Sequence, residues 1–201
     1  FDTNVNDISK LQGLRRSVTQ ISAPWTVGQY LDRADPSVRD WFPYEIRQLH
    51  RKNLTDGAGQ VRGVSRLAYR AAIENNRLAP LTQQLAGILR AADDNEISGV
   101  RVMIASSLAG GTGAGVFLQV ALYMRELLET SFNRKNVLVR GAFVLPDVLV
   151  GTGAIKDDEQ VRNVRANGYA CLKELDAITR VASAANGHLE SVTIELEYRP
   201  A

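Results

Sequence analysis

Two histidines and one cysteine in 201 residues leave little material for metal or thiol chemistry. With Cys171 alone, no internal disulfide can form, and a single thiol in a helical pattern reads as a small buried apolar group. One cysteine also accords with a reducing compartment, so a cytoplasmic location is expected. His50 and His188 are too isolated to form a ligand set or a catalytic triad, so no metal site is expected. No apolar run approaches the roughly 20 residues that cross a bilayer, so no membrane span is expected. Charge of one sign is missing too. Lys and Arg number 24 against 22 Asp and Glu, a net +2, which argues against a nucleic-acid surface.

Several familiar motifs are also missing. A Walker loop ends in Lys followed by Ser or Thr, whereas Gly115 is followed by Val116 and Phe117. The dinucleotide fingerprint needs glycines at i, i+2 and i+5. Gly111 and Gly113 meet the first step, but the third position is Val116; from Gly113 and Gly115 it is Leu118. A dinucleotide oxidoreductase is therefore a distant reading. No Gly-x-Ser-x-Gly elbow occurs.

What remains is an ordinary globular composition, 45% hydrophobic and 23% charged, long enough for one buried core. Its most informative stretch is Leu108-Ala109-Gly110-Gly111-Thr112-Gly113-Ala114-Gly115. Apolar Val100 to Ile104 before it reads as a strand, and Val116 to Leu128 after it as a helix. A glycine-rich turn from strand to helix is how α/β proteins hold phosphate, because glycine lets the backbone approach an anion closely. Thr112 adds a hydroxyl that can donate to phosphate or cap the helix. Leu138 to Leu145 reads as the next strand, completing a βαβ unit with parallel strands and both sheet faces buried. Ligands of such sheets sit at the carboxyl ends of the strands.

Elsewhere the patterns predict helices over Thr26–Ala34, Gln60–Asn75, Pro80–Ala91 and Glu159–Ile178, and a strand over Ser191–Tyr198. Trp41-Phe42-Pro43-Tyr44 reads as an aromatic turn that plugs a local core, with a partner surface as the alternative. Arg62, Arg66 and Arg70 recur at i, i+4 and i+8 and read as a solvated basic face, with phosphate contact open only to those in the first turn. Asp93-Asp94-Asn95-Glu96 reads as a solvated loop because its spacing is not that of a calcium loop.

Ser107 to Gly115 resembles the signature of the tubulin/FtsZ superfamily, a Gly-Gly-Gly-Thr-Gly-small-Gly loop, with Ala109 in place of the first glycine. Asp56 to Ala68 is similar to the FtsZ segment that faces the terminal phosphate. Gly57, Ala58 and Gly59 stand in matching places, and Arg66 falls on the family's arginine. Val61 and Arg62 replace its Asn-Pro pair. Phe1-Asp2-Thr3-Asn4 resembles the end of the family's second strand. Pro146-Asp147 falls where the family places its ribose-contacting loop, although a plain turn aspartate reads equally well. Residues 166 to 175, Ala-Asn-Gly-Tyr-Ala-x-Leu-Lys-Glu-Leu, resemble a branch of bacterial tubulin-like proteins. The resemblance has its core in residues 54–180, and residues 12–53 read as a lineage-specific insertion.

The resemblance implies a three-layer α/β/α fold with a mainly parallel sheet, as one partial nucleotide-binding domain. The first strand and loop, the central helix and the activation domain are expected outside these residues. It further implies GTP or GDP with Mg2+, held by Gly57, Ala58, Gly59, Ala109, Gly110, Gly111, Thr112, Gly113 and Asp147. No catalytic residue is expected in the chain. The next subunit of a head-to-tail filament would supply the acids for GTP hydrolysis. The alternative is a scaffold on the same fold with weak or no turnover, which Ala109 and the lost Asn-Pro pair favour. On the phosphate reading, Gly111→Val is expected to abolish binding while leaving the fold.

Overall fold

The structure is a computed structural model that describes residues 19, 21, 23–42, 44–95 and 99–184. The expectations for residues 1–4 and 191–198, and for His188, lie outside the described residues.

The first described helices are short: α1 (Val27–Leu31), α2 (Ser37–Trp41) and α3 (Ile46–Leu49). Thr26 starts α1 through a capping box. Its hydroxyl accepts from the Gln29 N–H at 3.2 Å, and its own N–H donates to Gln29 Oε1 at 3.0 Å. Two longer helices follow, α4 (Arg62–Glu74) and α5 (Ala79–Asp93). Pro80 sits in the first turn of α5, where its missing N–H costs nothing. Strand β1 (Val100–Ser107) leads into α6 (Gly111–Glu126), which continues as a π turn over Leu127–Ser131. Strand β2 (Val137–Val144), α7 (Pro146–Gly151) and the 27-residue α8 (Asp158–Ala184) complete the described order.

The expected βαβ unit is present. β1 and β2 pair in parallel, from Val100 opposite Val137 to Ser107 opposite Val144. The described residues thus form a mixed α/β structure around a two-stranded parallel sheet. Burial of both faces does not follow. Val102 and Ile104 pack into the core, whereas the alternate residues Met103 and Leu138 stay 63% and 41% exposed. Among the described residues helices cover one face only, so side chains that alternate across the strands alternate in burial.

Three apolar clusters hold the elements. Val27, Tyr30, Leu31, Val38, Trp41, Phe42 and Leu54 pack against Val64, Leu67, Ala68 and Ala71 of α4. Trp41 and Phe42 therefore fill core, as the aromatic-turn reading expected. A second cluster joins Tyr69 and Ala72 of α4 to Val116, Val120 and Met124 of α6. The third joins Leu108, Ala114 and Phe117 to Cys171 of α8, with Phe143 of β2 against them. Asp93, Asp94 and Asn95 are exposed, as the solvated-loop reading expected, although Asp93 is the last residue of α5 and takes Arg134 in two bonds of 2.6 Å. No described helix is long and apolar enough to cross a membrane.

Candidate functional site

The glycine-rich segment begins where β1 ends. Its first two residues turn inward, since Leu108 and Ala109 are fully buried. The Leu108 N–H donates to the Val144 carbonyl at 3.0 Å, and the Ala109 N–H to Ser107 Oγ at 3.2 Å. Gly110 is extended and precedes α6 with no side-chain cap. The helix starts at Gly111, not at Val116 as its glycines suggested. Most of the glycine run is therefore the first turn of a helix, whose leading N–H groups lack intrahelical acceptors.

Tight packing explains glycine there. A Cβ on Gly111 would collide with the Gly59 carbonyl and stand 3.0 Å from Ala58 Cβ. A Cβ on Gly113 would lie 2.5 Å from the Ser107 carbonyl, and one on Gly115 would lie 2.6 Å from the Arg62 carbonyl. Of the four glycines in the run, only Gly110 faces open space, with nothing within 4 Å of an added Cβ. The expectation that Gly111→Val spares the fold is thus overturned: its side chain would strike the neighbouring loop's backbone.

That neighbouring loop is Gly57-Ala58-Gly59. Gly57 and Gly59 take left-handed φ of 83° and 59°, which glycine adopts without strain. Ala58 is buried beneath. The Gly111 N–H donates to the Gly59 carbonyl at 3.0 Å, so the two glycine loops are joined directly. Ser65 reinforces the joint, its hydroxyl 2.7 Å from the Gly111 carbonyl and 2.8 Å from that of Arg62.

Between these loops and the end of β1 lies a cleft of about 360 Å³. Gly59, Ser106, Ser107, Gly110, Gly111, Thr112 and Gly113 form its polar wall; Ile104, Val116, Phe117 and Val120 form the apolar one. Five residues expected at a phosphate site, Gly59, Gly110, Gly111, Thr112 and Gly113, line this one cleft. Gly57, Ala58 and Ala109 do not line it; they lie next to Gly59 and Gly110 in the chain. Asp147 does not line it: it lies in the first turn of α7, 78% exposed, with Arg165 at 3.5 Å.

Arg62 and Arg66 do not form a solvated face, nor do they reach the cleft. Both bind Glu174 on α8, Arg66 at 2.5 and 2.6 Å, and their side chains are only 12% and 22% exposed. Their Nε–H groups donate to the Ala114 and Gly115 carbonyls at 3.1 Å each. Arg70 pairs with Glu74 one turn on. Two residues beyond the expected site hold it from behind. Asn167 Nδ2 donates to the Ala109 carbonyl at 2.9 Å and to the Gln60 carbonyl at 3.0 Å, tying both glycine segments to α8. Glu174 holds the arginine pair. With Cys171, whose thiol donates to the Ala114 carbonyl at 3.2 Å, they share one helix face at i, i+4 and i+7. That spacing was visible in residues 166–175, but nothing in the sequence says what the face meets. Burial pushes the Cys171 thiol up to about 11.

The wall suits a phosphate: a helix start without a side-chain cap, one open glycine and hydroxyls beside them, with the Gly111 N–H itself spent on the Gly59 carbonyl. Among the described residues no three His, Cys, Asp or Glu side chains gather to hold a metal. A Mg2+ ion here would be carried on phosphate oxygens and water, its common mode.

A family model described as tubulin like matches residues 6–200. Neither a curated protein nor a solved structure matches the chain significantly. The family match spans nearly the whole sequence, and this chain belongs to the tubulin-like family.

Proposed function

We propose that the chain binds GTP and GDP in this cleft, with Mg2+, and that it assembles head to tail into filaments that hydrolyse GTP. One observation carries the nucleotide site: two glycine loops far apart in sequence meet at the uncapped start of α6, linked by the 3.0 Å bond from Gly111 to Gly59. Phosphate oxygens would accept from N–H groups of the first turn of α6 other than that of Gly111, which is held by Gly59, and Thr112 would add a hydroxyl. Guanine as the base, and filaments as the assembly, follow from the family resemblance alone. In this proposal the 201 residues are one nucleotide-binding domain, residues 12–53 are its insertion, and a further helical layer covers the face that carries Met103 and Leu138. Asp147 would reach the ribose.

The cleft's lining is glycine, hydroxyl and apolar residues, so an acid that positions water must come from outside that lining. A neighbouring subunit is the source that a head-to-tail contact offers. The second reading, a scaffold with weak or no turnover, is favoured by Arg62. It occupies one position of the family's Asn-Pro pair, yet it is committed to Glu174 and to the Ala114 carbonyl.

The deciding experiment is GTP turnover by the full-length protein with Mg2+ over a concentration series. Specific activity that rises with concentration supports a site completed between subunits. GTP binding without turnover at any concentration supports the scaffold.

A further inference from the structure

A nucleotide's phosphates bring several negative charges into a cleft whose lining holds no cation. The start of α6 offers only about half a positive charge. Arg62 and Arg66 share the single carboxylate of Glu174, which leaves the trio a net +1, but their Nε–H groups are spent on carbonyls of α6 and neither side chain lines the cleft. Arg70 is held by Glu74. Lys156 lies beside Gly153, in the loop between α7 and α8. Lys52 differs from all of these. Its Nζ lies 3.9 Å from the position of a Cβ on Gly59, a residue that lines the cleft, though Lys52 itself does not. No carboxylate among the described residues pairs with its ammonium.

The backbone around Lys52 is fixed. Its N–H donates to the Leu49 carbonyl and its carbonyl accepts from the Val27 N–H, both at 2.9 Å. Asn53 beside it bridges to Thr26 in antiparallel fashion. Lys52 is partly buried, and a lysine can lay its methylene stem along the protein while keeping its ammonium in solvent. Gly59 is itself pinned by its carbonyl to the Gly111 N–H. The ammonium and the start of α6 therefore both neighbour Gly59, which lines the cleft.

We infer that Lys52 is a phosphate-binding residue of this site: its ammonium neutralises the nucleotide's phosphate chain beside Gly59. This rests on the cleft being a nucleotide site. It assigns a ligand contact to the segment read as an insertion, which residue matching with the family leaves outside the site. A lysine suits the place as a mobile point charge with three donors, and it needs no fixed planar geometry.

The test is equilibrium binding of GTP to the full-length protein, wild type, Lys52→Gln and Lys52→Arg, across a KCl series, with melting temperature as the control. Lys52→Gln should bind GTP about tenfold more weakly, the worth of one charge-assisted contact. It should show a flatter salt dependence than wild type and melt alongside it. Lys52→Arg should restore most of the affinity, which a packing role would not predict. Unchanged GTP affinity in Lys52→Gln while wild type binds would overturn the contact and leave the site standing. So would an affinity loss whose salt dependence matches wild type, because then the lost interaction is not charge on phosphate. Failure of wild type itself to bind GTP would remove the site and the contact together.

Discussion

The glycine-rich segment has two sides, and they do different work. On the inner side Leu108 and Ala109 are buried, and Gly111, Gly113 and Gly115 stand where any Cβ would strike Gly59, Ser107 or Arg62. On the cleft side Gly110 meets nothing, and the helix behind it starts uncapped. A single composition thus serves close packing and anion access at neighbouring positions. Glycine content alone does not count ligand contacts; what a Cβ would meet separates the two uses.

The largest effect should come from crossing that division on the packed side. Gly111→Val must part the two loops, and overpacking of this kind costs about 1–3 kcal/mol. Its melting temperature should fall and GTP binding should go with it. A variant that melts like wild type would break the distinction between the two sides.

The bolts behind the packed side come next. Glu174→Gln leaves two partly buried guanidinium groups without their carboxylate. The expected loss is about 1–2 kcal/mol, between an exposed pair and a buried one, since Glu174 is 32% exposed. Denaturant unfolding reads it directly. A loss below the error of that measurement would mean the arginines rest on the α6 carbonyls alone.

Cys171 should show a smaller effect, visible only in alkali. Its ordinary value is 9.0 and burial raises it to about 11, so the fold favours the neutral thiol. That contribution is complete below about pH 9 and is lost as pH rises towards 11. Cys171→Ala should remove this part of the alkaline destabilisation. Iodoacetamide should label the wild-type thiol only on unfolding; rapid labelling of the native protein at neutral pH would contradict its burial.

Asp147 should matter least to the fold. An exposed pair 3.5 Å from Arg165 contributes about 0.5 kcal/mol or less, so Asp147→Ala should melt with wild type. The same variant sharpens the ribose proposal. Weaker GTP binding at unchanged stability would support the ribose contact, and unchanged binding would leave Asp147 a turn residue.

Much of this was legible in the sequence, and what was not has physical causes. The order from Val100 to Leu145 was readable because its periodicities are local, and the parallel pairing follows from the helix between the strands. The start of α6 was missed by five residues because glycine is a poor helix former. Contacts with Gly59, Ser107 and Arg62 decide the matter there, and they are not local. Arg62, Arg66 and Arg70 looked solvated because the acid that holds the first two lies more than a hundred positions away, on α8. Asn167 was hidden for the same reason: its acceptors, the carbonyls of Ala109 and Gln60, are backbone groups that no side-chain pattern reveals. The apolar run of β2 suggested two buried faces, because burial depends on what covers a strand as well as on what it carries.

The most direct test of the central claim is GTP titration of Gly110→Val. Gly110, which lines the cleft, is extended at φ −80° and ψ 170°, which valine adopts readily, and its Cβ would meet nothing within 4 Å. The account predicts loss of GTP binding at the wild-type melting temperature. Wild-type affinity in this variant would contradict it, because a phosphate seated on the start of α6 has no room for that side chain.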